Sequence, residues 1–88
     1  MSDERIGFIG HVWKKAGSAS VDLVGASLHV GDRIRIRGHN HEFEQFVESL
    51  EVNHVAREIG SPGELVAISV QEPVSERDEV WRISPHVP

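Results

Sequence analysis

Three arginines are the residues in this sequence with the clearest capacity for binding. Arg33, Arg35 and Arg37 alternate with Ile34 and Ile36. Successive side chains of a strand point to opposite faces, so the pattern predicts a strand with both isoleucines in the core. The arginines then form an outward ridge, about 7 Å apart, and guanidinium groups so placed bind phosphates or acidic protein patches.

The ridge has two interpretations, and the sequence leaves both open. In the first it contacts RNA, with Lys14 and Lys15 as the next candidate contacts. In the second it is a solvated face, whose arginines pair with Glu44, Glu48 or Glu51 across a hairpin.

Two histidines have a spacing that resembles a metal site. His39 and His41 would point the same way on a strand, and Glu42 follows them. The segment reads as a hairpin tip, and the set is incomplete unless His11 or His54 joins it. We therefore predict no metal and keep His39 and His41 only as weak candidates.

Ser49, Glu51 and His54 provide the residue types of a hydrolase, but no nucleophile elbow or glycine-rich oxyanion loop accompanies them. A small barrel filled with side chains also leaves little room for a pocket. We predict that the chain is not an enzyme and needs no cofactor. His54 is more simply a half-buried histidine bonded to the backbone.

Composition limits the class of protein. The 88 residues are 39% hydrophobic and 26% charged, which are ordinary values for one globular domain. Cysteine is absent, which excludes disulfides, thiolate metal sites and thiol catalysis. No apolar run approaches the roughly 18 residues of a membrane span, and the acidic start lacks a signal-peptide core. We expect a soluble cytoplasmic protein.

The charge is distributed unevenly. The net charge is −5, and all of it falls in residues 45–88, because residues 1–44 contain equal numbers of basic and acidic groups. General nucleic-acid binders are usually basic. Any RNA contact would therefore be local, and a protein partner or a homodimer is the alternative.

Hydrophobic spacing follows period two almost throughout, with Gly and Pro turns between short runs. We predict an all-β fold, a small closed antiparallel β-barrel of six to seven strands, because closure removes exposed edges. The barrel spans residues 6–84, between a flexible N-terminus (1–5) and a C-terminal tail (85–88). Trp13 and Trp81 would close the barrel ends, and the alternative is an exposed tryptophan beside Lys14 and Lys15 that stacks on a base or on a side chain of a partner. The expected core includes Val21, Leu23, Ile34, Ile36, Val66, Ile68 and Val70.

The run Phe43 to Val55 is rich in strand formers, but its apolar residues change phase. Phe43 and Val47 fall on one face, whereas Phe46 and Leu50 fall on the other. The prediction is one long strand interrupted by a β-bulge.

Several stretches occur in an order that resembles a known family. They are Leu28-His29-Val30-Gly31-Asp32, Val47-Glu48-Ser49-Leu50-Glu51-Val52-Asn53-His54, Pro62-Gly63-Glu64-Leu65-Val66-Ala67 and Arg77-Asp78-Glu79-Val80. Together they are similar to the second, β-barrel domain of elongation factor Tu-type translational GTPases, and to short translation elongation factor-like proteins. A similar barrel occurs at the C-terminal end of collagenase-like peptidase homologues that act in RNA hydroxylation.

The resemblance implies a domain II-type barrel that binds RNA or a ribosome-associated protein, or an adaptor in an RNA-related complex. The alternatives are a barrel that binds only protein and a non-catalytic subunit of an RNA-modifying enzyme. The sequence contains no Gly-x-x-x-x-Gly-Lys-Ser/Thr phosphate loop, so we expect no GTP binding by this chain.

Overall fold

The computed structural model describes residues 3–84 and shows an all-β chain, with ten strands and no helix in that range. Eight strands form one antiparallel sheet in the order β5-β4-β10-β1-β2-β9-β6-β7, and β3 and β8 form a small second sheet. The predicted tail, 85–88, lies outside the described residues. The strands are β1 (Glu4–Trp13), β2 (Ser18–Leu23), β3 (Leu28–His29), β4 (Arg33–Arg37), β5 (Glu42–Phe46), β6 (Leu50–Val52), β7 (Val55–Arg57), β8 (Ile59–Gly60), β9 (Leu65–Ser69) and β10 (Glu79–Arg82).

The alternation of apolar and polar residues correctly predicted which side chains of the sheet face the core. Ile34 and Ile36 are fully buried, and the arginines beside them point outward or lie half-buried. Val70 is only partly buried at the margin of the core. The other predicted core residues, Val21, Leu23, Val66 and Ile68, are all buried.

The prediction of a closed barrel of six to seven strands was wrong in its closure and its strand number. The eight-stranded sheet curls into a half-barrel whose terminal strands, β5 and β7, do not pair with each other. Next to β5, a side chain replaces the missing strand pairing. The buried amide of Gln45 donates to the Ser69 carbonyl oxygen and accepts from the Gln71 N–H, both at 2.8 Å. A side-chain amide has the same donor and acceptor as a peptide group, so it satisfies both backbone groups.

The long strand predicted from Phe43 to Val55 is in fact three strands. β5 ends at Phe46, and β6 pairs with β9 instead of continuing along β4. The chain then reverses at Asn53 and His54, which have φ values of 53° and 65°. Positive φ at both central residues is the geometry of a tight two-residue hairpin turn. The predicted half-buried position for His54 was therefore wrong, because it lies exposed in this turn.

The curvature arises chiefly in β1. Its register shifts against β10 between Arg5 and Gly7, and against β2 between Ile9 and Val12. Such bulges bend and twist a strand. At Gly7 a Cβ atom would overlap the carbonyl oxygen of Asp22, so the two strands can approach this closely only at glycine.

Neither tryptophan closes a barrel end as predicted. Trp13 is 42% exposed at the end of β1. Trp81 lies half-buried on the outer side of β10, where its indole N–H donates to Glu79. The reason is parity, since Val80 and not Trp81 occupies the inward position of β10.

Candidate functional site

The predicted arginine ridge exists, but its charges are paired within the chain. Strand β5 lies beside β4 in a register that sets Arg35 opposite Glu44 and Arg37 opposite Glu42. One oxygen of Glu44 lies 2.8 Å from Arg33, and the other accepts from Arg35 at 2.7 Å and 3.1 Å. We call these five residues of β4 and β5 the charged face.

Further contacts make the charged face a network. Arg35 also contacts Asp3 at 3.0 Å, and the Arg37 side chain donates to Glu42 at 3.0 Å. The hydrogen bonds from Arg35 hold the pKa of Glu44 below its usual value, and the same bonds raise the pKa of Arg35. The sequence predicted Glu44 as a partner, whereas it missed Glu42 and Asp3 and wrongly included Glu48 and Glu51.

Lys14 and Lys15 lie exposed in the turn between β1 and β2. Within residues 3–84, neither lysine has a carboxylate at ion-pair distance. They remain the two free cations of the predicted set.

The other half of the sheet presents an outer side of a different composition. Its strands are β1, β2, β9 and β6, and the register sets small outward residues side by side, Ser20 next to Ala67 and Ser18 next to Ser69. Gly10 lies in the β1 bulge beside Ser20. We call the outward surface formed by Gly10, Ser18, Ser20, Ala67 and Ser69 the floor. The floor and the two apolar side chains that border it, Leu65 and Trp13, form what we call the small-residue face.

Large apolar side chains border the floor on two sides. Leu65 is 59% exposed, although it belongs to an interior strand of the sheet. Trp13 borders the other side, where it pairs with Ser18 and packs edge-on against His11 with 4.6 Å between ring centroids. Leu65 and Trp13 therefore provide exposed apolar area at the two borders of the floor.

Local contacts prevent the side chains of the floor from projecting outward. The backbone N–H of His11 donates to the Ser20 hydroxyl at 2.9 Å, which holds that hydroxyl against the sheet. A Cβ atom on Gly10 would lie 3.0 Å from the Ser20 Oγ and 3.8 Å from Leu65. A larger residue at position 10 would therefore fill the depression.

Two carboxylates lie at the margins of this face. Asp22 is set between Phe8 and Leu65, and Glu51 lies beside Ala67. Within residues 3–84, neither carboxylate has an ion-pair partner. The small-residue face therefore combines a floor of small residues, three of them serines, with apolar borders and unpaired carboxylates, whereas the charged face is neutralised.

A cavity of about 500 Å³ opens beside Trp13. Its wall is largely apolar and includes the buried core residue Val74, with Val12 and Val70 at the margin of the core. Lys14 and Glu72 contribute polar groups to the same lining. The cavity could receive a large apolar side chain of a bound molecule.

The histidines do not assemble into a metal site. His41 Nε2 lies 3.1 Å from the buried carboxylate of Asp78, which also accepts from the Ser75 N–H. His39 is exposed at the hairpin tip. Among residues 3–84 no group of three or more His, Asp or Glu side chains is placed to hold a metal ion.

Ser49, Glu51 and His54, the three residues of the types that a hydrolase uses, likewise do not form a site. Ser49 and Glu51 are exposed, and His54 lies in the tight turn. In the part of the chain that the structure describes, no hydrogen bond joins any two of these three side chains.

Comparison with solved structures relates the fold to one class of domain. A structure described as the "C-terminal domain of Geobacillus thermoleovorans putative U32 peptidase" superposes with a TM-score of 0.85 at 18% identity, covering 92% of this chain and 93% of that one. The chain shares the fold of that domain. Its selenomethionine variant gives a TM-score of 0.81 at 19% identity, covering 88% of this chain and 96% of the other. No family model and no curated protein matches the chain.

The resemblance to the elongation factor Tu barrel and to translation elongation factor-like proteins was therefore wrong. The neighbours are peptidase-family C-terminal domains, and none points to a translation factor. The quoted motifs describe turns that many β-proteins need. Gly31 and Gly63, with φ values of 96° and 86°, lie in such turns, and His54 is a central residue of the turn between β6 and β7.

Among residues 3–84 no helix is long and apolar enough to cross a bilayer.

Proposed function

We propose that this chain is a non-catalytic binding module that docks onto a protein through the small-residue face. The single observation that carries the proposal is the difference in pairing between the two halves of the outer surface. The three arginines of the predicted RNA site already contact carboxylates of their own chain, whereas Leu65 and Trp13 stand exposed beside a floor of small residues.

The pairing argues against RNA as the ligand of the charged face. A phosphate would have to displace Glu44 from both Arg33 and Arg35, and the displaced carboxylate would then repel it. Fewer counterions would be released, and the net charge of −5 opposes approach of a polyanion at long range.

The small-residue face has the features of a protein contact. Its floor of small residues allows close approach of a partner. Trp13 is of the residue type that most often dominates interface energies, and the cavity beside it could receive an apolar side chain of the partner. Leu65 adds exposed apolar area at the other border. The solved neighbour is a domain of a larger protein, which supports an accessory role in which the chain binds and does not itself catalyse.

The test compares two substitutions that are matched in exposure. Leu65 and Phe46 are 59% and 56% exposed, and they lie on opposite halves of the outer surface. Leu65→Glu and Phe46→Glu should both fold, because both side chains are exposed. Tagged proteins are used to capture partners from the cells that make the chain, with and without nuclease.

We expect the captured protein to persist after nuclease treatment. Its yield should fall at least tenfold with Leu65→Glu and stay unchanged with Phe46→Glu. Partners that disappear with nuclease, or that respond to Phe46→Glu and not to Leu65→Glu, would contradict the proposal.

A further inference from the structure

The shape of the small-residue face limits what can cover it. The outward positions of β9 run from Leu65 through Ala67 to Ser69, a length of about 13 Å at the rise of a strand. A depression of about 210 Å³ lies over Ser18, Ala67 and Ser69. The length of the outward row is close to the diameter of an α-helix with its side chains, about 10–12 Å. Gly10, Ser20 and Ala67 contribute almost no height.

The charge of the face limits the partner further. Asp22 lies toward the Leu65 side and Glu51 lies beyond Ala67, so the two carboxylates flank the floor on different strands. Within residues 3–84 neither is neutralised by the chain itself. An apolar surface that covered the floor would leave both carboxylates at its rim, where a cation of the partner would meet them.

We infer that the occupant of the small-residue face is an amphipathic helix of a partner protein, with an apolar stripe edged by lysine or arginine. The inference rests on the proposed function. The helix supplies apolar side chains to Leu65 and Trp13, and its basic edges face Asp22 and Glu51. An uncovered sheet face is commonly buried under a helix, and helix recognition by apolar grooves uses the same stripe of anchors.

The test uses two synthetic peptides of about 18 residues, which form five helical turns. Both carry one leucine stripe. One has lysine along both edges of the stripe and the other has glutamate. Binding is followed by the fluorescence of Trp13 in a Trp81→Phe background, at low and at raised salt.

The lysine-edged peptide should bind at least tenfold more tightly than the glutamate-edged one at low salt. The difference should shrink at raised salt, as screening requires. Asp22→Asn with Glu51→Gln should abolish the preference, and Leu65→Asn should weaken both peptides while Phe46→Asn leaves them unchanged.

Three results would overturn the inference. They are equal binding of the two peptides, tighter binding of a uridine oligonucleotide, and self-association of the chain that depends on Leu65. A further outcome distinguishes this inference from the proposed function. If neither peptide binds while Leu65→Glu still releases a nuclease-resistant protein partner, the helix is wrong and protein docking stands.

Discussion

The two halves of the sheet's outer surface differ in how far their charges are paired within the chain. On β4 and β5, arginine and glutamate alternate across the strand pair, so that each charge finds its partner within the chain. On β1, β2 and β9, small residues form a floor without ion pairs, with Leu65 exposed beside it. A surface that is already paired gains little from a ligand, so the conspicuous charges belong to the less available half.

The comparison depends first on which side of β4 faces the core. Ile36→Asp should prevent folding, because an unpaired buried carboxylate costs several kcal/mol and a domain of this size has a total stability of about 5–10 kcal/mol. Arg37→Asp, one position away, is the control and should fold. Circular dichroism and thermal melting provide the measurement, and a cooperative melt of Ile36→Asp would mean that the two sides are reversed.

The second prediction concerns the role of the charged face. Arg33→Gln with Arg35→Gln removes the pairing of Glu44, and we expect a loss of about 1 kcal/mol in the free energy of unfolding, since partly exposed ion pairs contribute little. Capture of the protein partner should not change. The measurement is urea unfolding together with capture at two salt concentrations. A stable variant that no longer captures its partner would restore the arginine ridge as the binding site.

The third and smallest effect is a pH dependence confined to the charged face. Because pairing with Arg35 lowers the pKa of Glu44 in the folded state below its ordinary value of 4.5, the stabilisation is complete above that value. It is lost as the pH falls through the lowered pKa. Glu44→Gln should therefore be less stable than the wild type at pH 7 and lose less on acidification.

Urea unfolding at pH 7, 4 and 3 measures this difference. The control is Glu48→Gln, an exposed carboxylate with no ion pair within residues 3–84. Equal acid sensitivity of Glu44→Gln and the wild type would show that the pairing with Arg35 does not stabilise the fold.

The sequence predicted the parts of the fold that depend on local alternation. Ile34 and Ile36 had to face inward once Arg33, Arg35 and Arg37 were taken as outward, and the structure confirms this. The open edge was not predictable, because the groups that meet there, such as the buried Gln45 amide and the Ser69 carbonyl, lie 24 residues apart in the chain.

The small-residue face was missed for a similar reason. Gly10, Ser20 and Ala67 come from three separate strands, and none of them belongs to a local pattern that indicates binding. Only the strand register assembles them. The predicted core positions Val66, Ile68 and Val70 already set Leu65 on the other side of its strand, but the sequence did not show that its side chain would stay exposed on an interior strand.

The chain has one tryptophan on each half, which allows the central claim to be measured directly. Trp13 borders the small-residue face, and Trp81 lies beside Arg35 in the adjoining strand. The two single-tryptophan variants, Trp81→Phe and Trp13→Phe, are titrated with the captured protein partner, and acrylamide quenching is followed. We predict that Trp13 becomes protected while Trp81 does not change. Protection of Trp81 with no change at Trp13 would contradict the account and place the binding site on the arginines.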